Sequence, residues 1–297
     1  MRYVLALFVV IFGLGAMAIN PLPQPSLPIP ENVNNDTNPA NPILPTLLPV
    51  LTQVDRDDDP AEMLPCTEAP RDCSLRSAIQ IANNDGSPTT ITFADHYLIS
   101  LNQPLPALSE DGTIIRAAAG QEIHVKGNDL PGAIFDITGA NVTVDGLHIY
   151  GAGAGYANIM ISGTAFAATI ANNIIGDDDA PSGNCGQNNQ AYAGIYINAH
   201  AADSQATHAW IYGNIIECHT GAPGVGILVA TEQVVIGHDG TGCAGFDGNN
   251  TIRWNQIGVN LGDNGRNTVC HALIHDNVGG GLQMTNFNND IMENEIR

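Results

Sequence analysis

The chain has 297 residues and a formal net charge of −21 at pH 7, yet only 13% of its residues are charged. Its 30 acidic residues face nine basic ones, and Lys126 is the single lysine. Nucleic acids and anionic membranes bind clustered lysine and arginine, so this composition excludes them as expected partners. It also disfavours acidic polysaccharides, unless a metal ion bridges the two anions. Apolar residues make up 44% of the chain, enough to fill a sizeable core, so global disorder is not expected.

Residues 1–18 have the pattern of a secretory signal peptide. Arg2 supplies the positive start, an apolar stretch runs from Val4 to Leu14, and the small residues Ala16 and Ala18 mark a cleavage site. The apolar stretch is too short to cross a bilayer as a helix, which takes about 20 residues. We therefore expect a secreted, extracellular or cell-surface protein with no membrane span in the mature chain.

Residues 19–60 are predicted to form a linker. Prolines recur from Pro21 and Pro23 onward, which favours an extended spacer over a packed domain. An acidic run from Asp55 to Asp59 ends the segment. This run is interpreted as a solvated end of the linker, with a calcium site as the alternative.

Residues 61–89 are predicted to form a helical cap linked by a disulfide. Ser74 is a suitable N-cap, Leu75 and Ile79 fall on one helix face, and the residues from Asn83 to Gly86 stop the helix. After the cap, the spacing of apolar residues changes to every second residue, which is typical of strands.

Residues 90–297 are predicted to form a solenoid, because a short motif recurs through them. Ile-x-x-Asn occurs five times, and in four copies a second Ile follows the Asn by two residues. The copies begin at Ile170, Ile211, Ile252, Ile274 and Ile291, after the related segments Val125–Leu130 and Val142–Leu147. The spacings between copies range from 17 to 41 residues, and we interpret each 41-residue interval as two turns.

A second element follows several copies of the motif, and it consists of glycine followed by alternating residues. It occurs at Gly194–Ile197, Gly226–Val229, Gly258–Leu261 and Gly281–Met284. Alternation directs one row of side chains inward and the other outward, and each turn buries its aliphatic row by stacking on the next, about 4.8 Å away. The recurring Asn tolerates sharp bends, and stacked Asn side chains hydrogen-bond to one another, so its predicted role is structural. The predicted fold is an all-β, right-handed parallel β-helix with a short N-terminal capping helix.

The segment Cys73-Ser74-Leu75-Arg76-Ser77-Ala78 resembles the CSLREA segment of bacterial secreted β-helix repeat proteins, with Ser77 where the family motif has Glu. The resemblance continues through Thr90–Phe93, Leu105–Leu108 and Asn141–Leu147, and it covers roughly residues 52–297. It implies a helix that caps the first coil and an exported surface or extracellular protein. It implies no agreed chemistry.

Export predicts that the six cysteines pair as disulfides. Cys66 and Cys73 lie beside the predicted helix and are expected to bond to each other. The other four, Cys185, Cys218, Cys243 and Cys270, allow three pairings. Their places in neighbouring turns favour Cys185 with Cys218 and Cys243 with Cys270.

Catalytic residues have only weak candidates in this sequence. Asp177, Asp178 and Asp179 follow a predicted strand, and glycoside hydrolysis uses two carboxylates about 5 to 9.5 Å apart. We favour a solvated turn, with or without an adventitious calcium ion, as the explanation of this cluster. No zinc-type spacing of histidine and cysteine occurs, and no cofactor is expected, with calcium as the alternative.

The sequence favours a secreted or cell-surface module with a structural, adhesive or glycan-binding role, and it assigns no specific reaction. The alternative is a carbohydrate-active enzyme, a polysaccharide lyase or glycoside hydrolase, that acts on extracellular polysaccharide. An outward cleft with two or more carboxylates within reach of a sugar would favour the enzyme, and a flat acidic face would favour the module. The candidate partners are an extracellular polysaccharide and a surface protein.

Residues 290–297 begin another copy of the motif and then stop. A last coil without a cap exposes strand edges and aliphatic side chains. Two expectations follow: the sequence is a piece of a longer β-helix, incomplete at the C-terminus, or copies of the chain associate end to end.

Overall fold

The computed structural model describes residues 46–52, 55, 73–177, 185, 191–200, 208–239, 243, 249–262 and 265–297. All of them belong to the compact unit Ile43–Arg297. The predicted signal peptide, residues 1–18, lies outside the described residues, as does most of the predicted linker. Within the described residues, no helix is long and apolar enough to cross a membrane.

The described residues form one α-helix, α1 (Leu75–Asp85), and 23 short strands. The first twelve strands are β1 (Thr46–Val50), β2 (Thr89–Phe93), β3 (Tyr97–Ser100), β4 (Ile114–Arg116), β5 (Ile123–Leu130), β6 (Phe135–Ile137), β7 (Thr143–Asp145), β8 (His148–Ala152), β9 (Ala157–Ile161), β10 (Ala168–Ala171), β11 (Ile174–Gly176) and β12 (Ala193–Ile197). The others are β13 (Ala209–Tyr212), β14 (Ile215–Glu217), β15 (Val225–Val229), β16 (Val234–Ile236), β17 (Thr251–Arg253), β18 (Ile257–Leu261), β19 (Thr268–Cys270), β20 (Leu273–His275), β21 (Leu282–Met284), β22 (Asp290–Met292) and β23 (Glu295–Ile296).

The strands form three sheets in which neighbouring strands run parallel. Sheet A has nine strands in the order β1-β2-β4-β7-β10-β13-β16-β19-β22, sheet B has eight in the order β3-β5-β8-β11-β14-β17-β20-β23, and sheet C has six in the order β6-β9-β12-β15-β18-β21. From β4 onward the chain passes through A, B and C in turn and then returns to A beside its previous strand. This arrangement is a parallel β-helix, and it confirms the predicted fold class.

Stacked aliphatic side chains fill the inside of the coils. In sheet A, Val144, Ile170, Ile211 and Ile236 occupy one register on successive strands, and all four are completely buried. Full burial of one such side chain contributes about 1.5–3 kcal/mol, so each coil is stabilised mainly by the coils on either side of it.

The Ile-x-x-Asn motif marks two corners of the coil and not one. Ile170 and Ile211 pair in sheet A, whereas Ile252 and Ile274 pair in sheet B. The 41 residues between Ile170 and Ile211 therefore make one coil, and the prediction of two turns was wrong. The additional length lies in the connections on either side of β12. The predicted inward direction is confirmed for these four side chains, which are fully buried, and Ile291 is partly buried against the same core.

Asparagines stabilise all three corners, and most of them are buried. The stacks are Asn173–Asn214–Asn250 between sheets A and B, Asn255–Asn277 between B and C, and Asn267–Asn289 between C and A. In each stack the side-chain oxygen accepts the backbone N–H of the asparagine one coil earlier, at 2.9–3.0 Å. These bonds pair donors that a sharp, buried corner would otherwise leave without partners. The predicted structural role of the asparagines is confirmed.

The glycine near the start of several sheet C strands is required by close packing. A Cβ atom at Gly226 would lie 2.8 Å from the Cγ2 atom of Ile252 and 2.5 Å from the carbonyl oxygen of Gly258. Gly258 has the equivalent approach to Ile274, at 2.6 Å. Glycine at these positions therefore lets sheet C pack directly against the core side chains of sheet B, as the recurring glycine-led element requires.

The helix α1 begins and ends as predicted. The Ser74 hydroxyl oxygen accepts the backbone N–H of Ser77 at 3.1 Å, and Gly86 ends the helix in the left-handed conformation, with φ 65°. Leu75 and Ile79 are buried against the first strands of the core. The helix thus covers apolar side chains at the start of the β-helix, as the resemblance implies.

Arg76 of the same segment joins the helix to the first coil. Its guanidinium forms two 2.8 Å hydrogen bonds to the carboxylate of Asp55 and donates to the carbonyl oxygens of Gln103 at 2.8 Å and Pro104 at 2.7 Å. Asp55 is 8% exposed, and Asn102 donates its backbone N–H to the same carboxylate at 2.8 Å. Asp55 is therefore part of a buried ion pair. A solvated linker end therefore does not describe Asp55, whereas residues 56–59 of the acidic run lie outside the described residues and the calcium alternative stays a prediction.

Part of the predicted linker forms a strand of the β-helix. Residues 46–50 form β1, which pairs in parallel with β2 from Thr46↔Thr89 to Val50↔Phe93. Leu48 and Val50 are buried, so the alternation of side chains outweighs the proline at position 49, whose side chain lies on the outward face.

Two of the three predicted disulfides lie within the described residues. Cys185 is bonded to Cys218, and Cys243 to Cys270. Both pairings are confirmed. Cys66 lies outside the described residues, so its bond to Cys73 stays a prediction.

Candidate functional site

The outward face of sheet A carries two columns of side chains in register. The first column contains Thr90, Ile114, Thr143, Thr169, Trp210, Val235, Thr268 and Asp290. The second contains Arg116, Asp145, Ala171 and Tyr212. Large aromatic and charged side chains therefore lie near one another in the middle of this face.

Strand β13 supplies the aromatic groups of this face. Trp210 and Tyr212 are two residues apart, so both side chains point outward while Ile211 between them is buried. The neighbouring strand β10 places the much smaller Thr169 and Ala171 beside them. The two aromatic side chains thus stand beside small ones, of which Thr169 is partly exposed and Ala171 is 2% exposed, and we call this part of the outward face the sheet A bay.

The opposite side of the sheet A bay is polar. Asp145 lies beside Ala171 in the register, and its two carboxylate oxygens accept hydrogen bonds from Arg116 Nε at 2.7 Å and from Asn172 Nδ2 at 2.9 Å. The Asp145 side chain is 17% exposed and that of Arg116 is 53% exposed. An exposed ion pair of this kind adds little stability. Its importance is geometric, because it fixes an anion, a cation and an amide at the edge of the bay.

Burial and nearby charged groups shift the pKa of Tyr212. Burial raises the pKa of its hydroxyl above 10, the nearby carboxylates of Asp145 and Asp239 raise it further, and Arg116 opposes them. The phenol is therefore neutral at ordinary pH.

A groove of about 300 Å³ adjoins the sheet A bay at the corner between sheets A and B. Its lining includes Gln121, Glu122, His124, His148, Asn172 and Ile174. Asn172 belongs to both sites, because it lines the groove and binds Asp145. We call this feature the corner groove.

The histidines of the corner groove are held by neighbouring groups. His148 is 6% exposed, and its Nε2 donates to the carbonyl oxygen of Gly176 at 2.9 Å. The ring of His124 lies 4.6 Å from that of His148, and Tyr150 packs on His148 at 4.9 Å. The groove therefore has a preformed aromatic side as well as polar edges.

The predicted carboxylate cluster lies elsewhere. Asp177 follows β11 and is 2% exposed, so a solvated turn does not describe it, and it does not line the corner groove. Asp178 and Asp179 lie outside the described residues. The structure thus does not place Asp177 in the lining of the corner groove.

One group of three potential metal ligands occurs among the described residues. The ligand atoms of His238, Cys243 and Cys270 lie within 4.8 Å of one another. The two cysteines are bonded to each other, and disulfide sulfurs lack the thiolate charge that metals bind. We therefore do not assign a metal centre to this group.

The residues of the sheet A bay were not singled out from the sequence. Asp145 falls within the motif-related segment Val142–Leu147, and Trp210 and Tyr212 flank Ile211, which begins a copy of the Ile-x-x-Asn motif. The alternation therefore contained a usable signal, since neighbours of a buried Ile on a strand must point outward. What the sequence did not show was that Arg116, Asp145 and Tyr212 share one register.

No protein-family model and no curated protein matches this chain. Among solved structures, this chain is similar to Jun a 1, the major allergen from cedar pollen, at 15% identity and a TM-score of 0.38. The similarity covers 84% of this chain and spans 63% of the length of Jun a 1.

Proposed function

We propose that this protein is an extracellular or cell-surface module that binds polysaccharide in the sheet A bay. The observation that carries the proposal is the pair Trp210 and Tyr212 facing the hydrogen-bonded group of Asp145, Arg116 and Asn172 across small side chains. Aromatic rings cover the apolar C–H faces of sugar rings, and polar groups in fixed positions bind the hydroxyls. Both kinds of group lie on or at the edge of the outward face of sheet A.

The charge of the protein selects among polysaccharides. A net charge of −21 repels polyanions, and the one cation of the bay, Arg116, is already paired with Asp145. An uncharged polysaccharide experiences no such repulsion. The proposed ligand is therefore a neutral glycan.

Three features support an extracellular location. Residues 1–18 have the signal-peptide pattern, two disulfides are formed, and the chain resembles bacterial exported β-helix proteins. The bacterial origin, the secretion and the structural or adhesive role are parts of this proposal.

The test is binding of the full chain to a panel of polysaccharides, measured by affinity electrophoresis or by depletion onto insoluble polymer. The panel contains cellulose, galactomannan, arabinoxylan, xyloglucan and starch, with polygalacturonate and alginate as acidic comparators. We expect at least one neutral polymer to bind and the acidic ones not to bind. Tyr212→Ala should weaken that binding at least about tenfold, which corresponds to 1.4 kcal/mol.

The matched control is Tyr196→Ala, which removes another half-buried, outward tyrosine, from sheet C. It should leave the affinity unchanged. Failure of every neutral polymer to bind, or equal losses in the two variants, would overturn the proposal.

A carbohydrate-active enzyme is the alternative, and one observation favours it. The carboxylates of Asp145 and Asp239 both lie close enough to Tyr212 to raise its pKa. The same mixtures, assayed for new reducing ends and for unsaturated products, distinguish the two: an enzyme releases products, and these are lost in Asp145→Asn and Asp239→Asn variants.

A further inference from the structure

We infer that the corner groove binds one sugar side group of the polysaccharide whose main chain occupies the sheet A bay. The protein would then prefer branched glycans to unbranched ones. This inference rests on the proposed function, and it assigns the groove a task that the bay does not perform.

The two sites are neighbours on either side of one corner. Asn172 donates to Asp145 at the edge of the bay, and the same residue lines the groove. Gly146, which follows Asp145 directly, is also a lining residue. A ligand lying across the bay therefore has its edge next to the groove, and a group attached to it can turn around the corner.

The size of the groove fits a single ring. Its volume of about 300 Å³ is at the lower end of the range for ligand pockets, which runs from roughly 300 to 1,000 Å³. The main chain of a polysaccharide needs a longer path, and the bay extends along the outward face of sheet A over the neighbouring strands β4, β7, β10 and β13. The groove is sized for an appended sugar.

The chemistry of the lining fits an uncharged, hydroxylated ring. Gln121 and Asn172 are amides, Glu122 is a carboxylate at an exposed position, and neither lysine nor arginine lines the groove. An anionic substituent such as a uronate, sulfate or phosphate would meet Glu122 without a compensating Lys or Arg. The ring of His124, backed by His148 at 4.6 Å, offers a face on which a neutral sugar can pack.

Hydrogen bonds and strand pairing hold the two edges of the corner groove in place. His148 is fixed by its bond to the Gly176 carbonyl oxygen, and Ile174 stands beside His148 in the register of sheet B. Glu122 donates its backbone N–H to His96 at 3.0 Å, which fixes the opposite edge. Binding therefore costs little reorganisation of the protein.

The experiment compares each branched polymer with the same polymer after its side groups are removed. Galactomannan is treated with an α-galactosidase, and arabinoxylan with an arabinofuranosidase, and the affinity of the full chain is measured before and after. We expect the untreated form of the polymer that binds to be held about tenfold more tightly than the treated form. His124→Ala, which removes the ring face, and Glu122→Ala, which removes the polar group at the groove edge, should reduce this ratio to about one while leaving the affinity for the treated polymer unchanged.

His275→Ala is the matched control, because His275 is an outward histidine of sheet B four strands away from β8. It should keep the wild-type ratio. Glu122→Ala changes an exposed position, so it tests the inference even if His124→Ala folds poorly. Equal affinity for treated and untreated polymers, or an unchanged ratio in both groove variants, would overturn the inference and leave the sheet A bay as the binding site. Absence of binding to all of these polymers would instead overturn the proposed function.

Discussion

His219 shows how one side chain couples this fold to pH. It is completely buried at the corner between sheets B and C, where its Nδ1 donates to the Asn255 side-chain oxygen at 2.8 Å. Its Nε2 accepts from Asn158 Nδ2 at 3.1 Å. Burial lowers the pKa of His219 from 6.5 to about 4, and the bond to Asn255 opposes this only in part. The neutral ring is thus an integral part of the corner.

The first prediction concerns the acid stability that follows from His219. Because the pKa is lower in the folded than in the unfolded chain, the stabilisation is complete above pH 6.5 and is lost as the pH falls towards 4. The loss amounts to about 3 kcal/mol at pH 4. His219→Gln, which cannot take up a proton, should be less stable than wild type at pH 7 and lose less stability between pH 7 and pH 4. Denaturant unfolding at several pH values measures the difference.

The control for this prediction is His200→Gln, at an exposed position. It should follow the wild-type pH dependence, which also contains the titration of carboxylates. A His219→Gln variant that loses stability in parallel with wild type would show that the ring is not the acid-sensitive group.

At the scale of structural elements, the asparagine stacks determine where each strand begins. Asn214 lies directly before β14, and its Nδ2 donates to the carbonyl oxygens of Ile170 and Tyr212, both at 2.9 Å. Its Oδ1 accepts the backbone N–H of Asn173 at 2.9 Å. One side chain thus joins two coils and two sheets.

The second prediction is that Asn214→Leu destabilises the protein by at least about 3 kcal/mol. The substitution leaves several buried backbone groups without partners, and each such group costs about 1–3 kcal/mol. Asn260→Leu is the control, because Asn260 points outward from β18 beside Leu228. Its stability should stay within about 0.5 kcal/mol of wild type. Urea unfolding measures both, and similar midpoints for the two variants would contradict the prediction.

The sequence was sufficient to predict the repeating elements but not their order around the coil. The glycine-containing strands of sheet C were aligned in the correct register. Each of them needs a glycine near its start, because a larger residue would clash with a sheet B side chain. The Ile-x-x-Asn motif was ambiguous, because two different corners need the same pair of residues. Each corner needs a buried isoleucine, such as Ile211 or Ile252, and an asparagine three residues later that hydrogen-bonds to the backbone. Coils of unequal length removed the periodicity that would have separated them.

The candidate site could not be predicted for a related reason. Arg116, Asp145 and Tyr212 come from three strands, and their proximity depends on the register of every coil between them. A single misplaced coil moves one of them away from the others. Local patterns indicate which side chains point outward, whereas only the stacking of coils determines which of them meet.

At the scale of the whole molecule, the first and last described coils differ in how much apolar surface they expose. At the N-terminal end, α1 packs on the first strands, and the buried pair of Arg76 and Asp55 fixes it there. The coil that contains β21, β22 and β23 carries a group of exposed apolar side chains. These are Val278 at 81%, Met284 at 49%, Phe287 at 100%, Met292 at 43% and Ile296 at 48% exposure. Exposed apolar groups that cluster in this way are typical of interaction surfaces.

The last prediction is that copies of this chain associate through that group of side chains. Burying Phe287 and Val278 against a second copy removes apolar surface from water, and the edges of β21, β22 and β23 can pair with further strands. Light scattering coupled to size-exclusion chromatography should show a mass that rises with concentration, and Phe287→Ser together with Val278→Ser should restore the monomer. Leu98→Ser, at a 52% exposed position of sheet B, is the control and should still associate. A monomer at every concentration in the unsubstituted chain would exclude self-association, because the exposed surface would then be insufficient to offset the entropy lost when two copies bind.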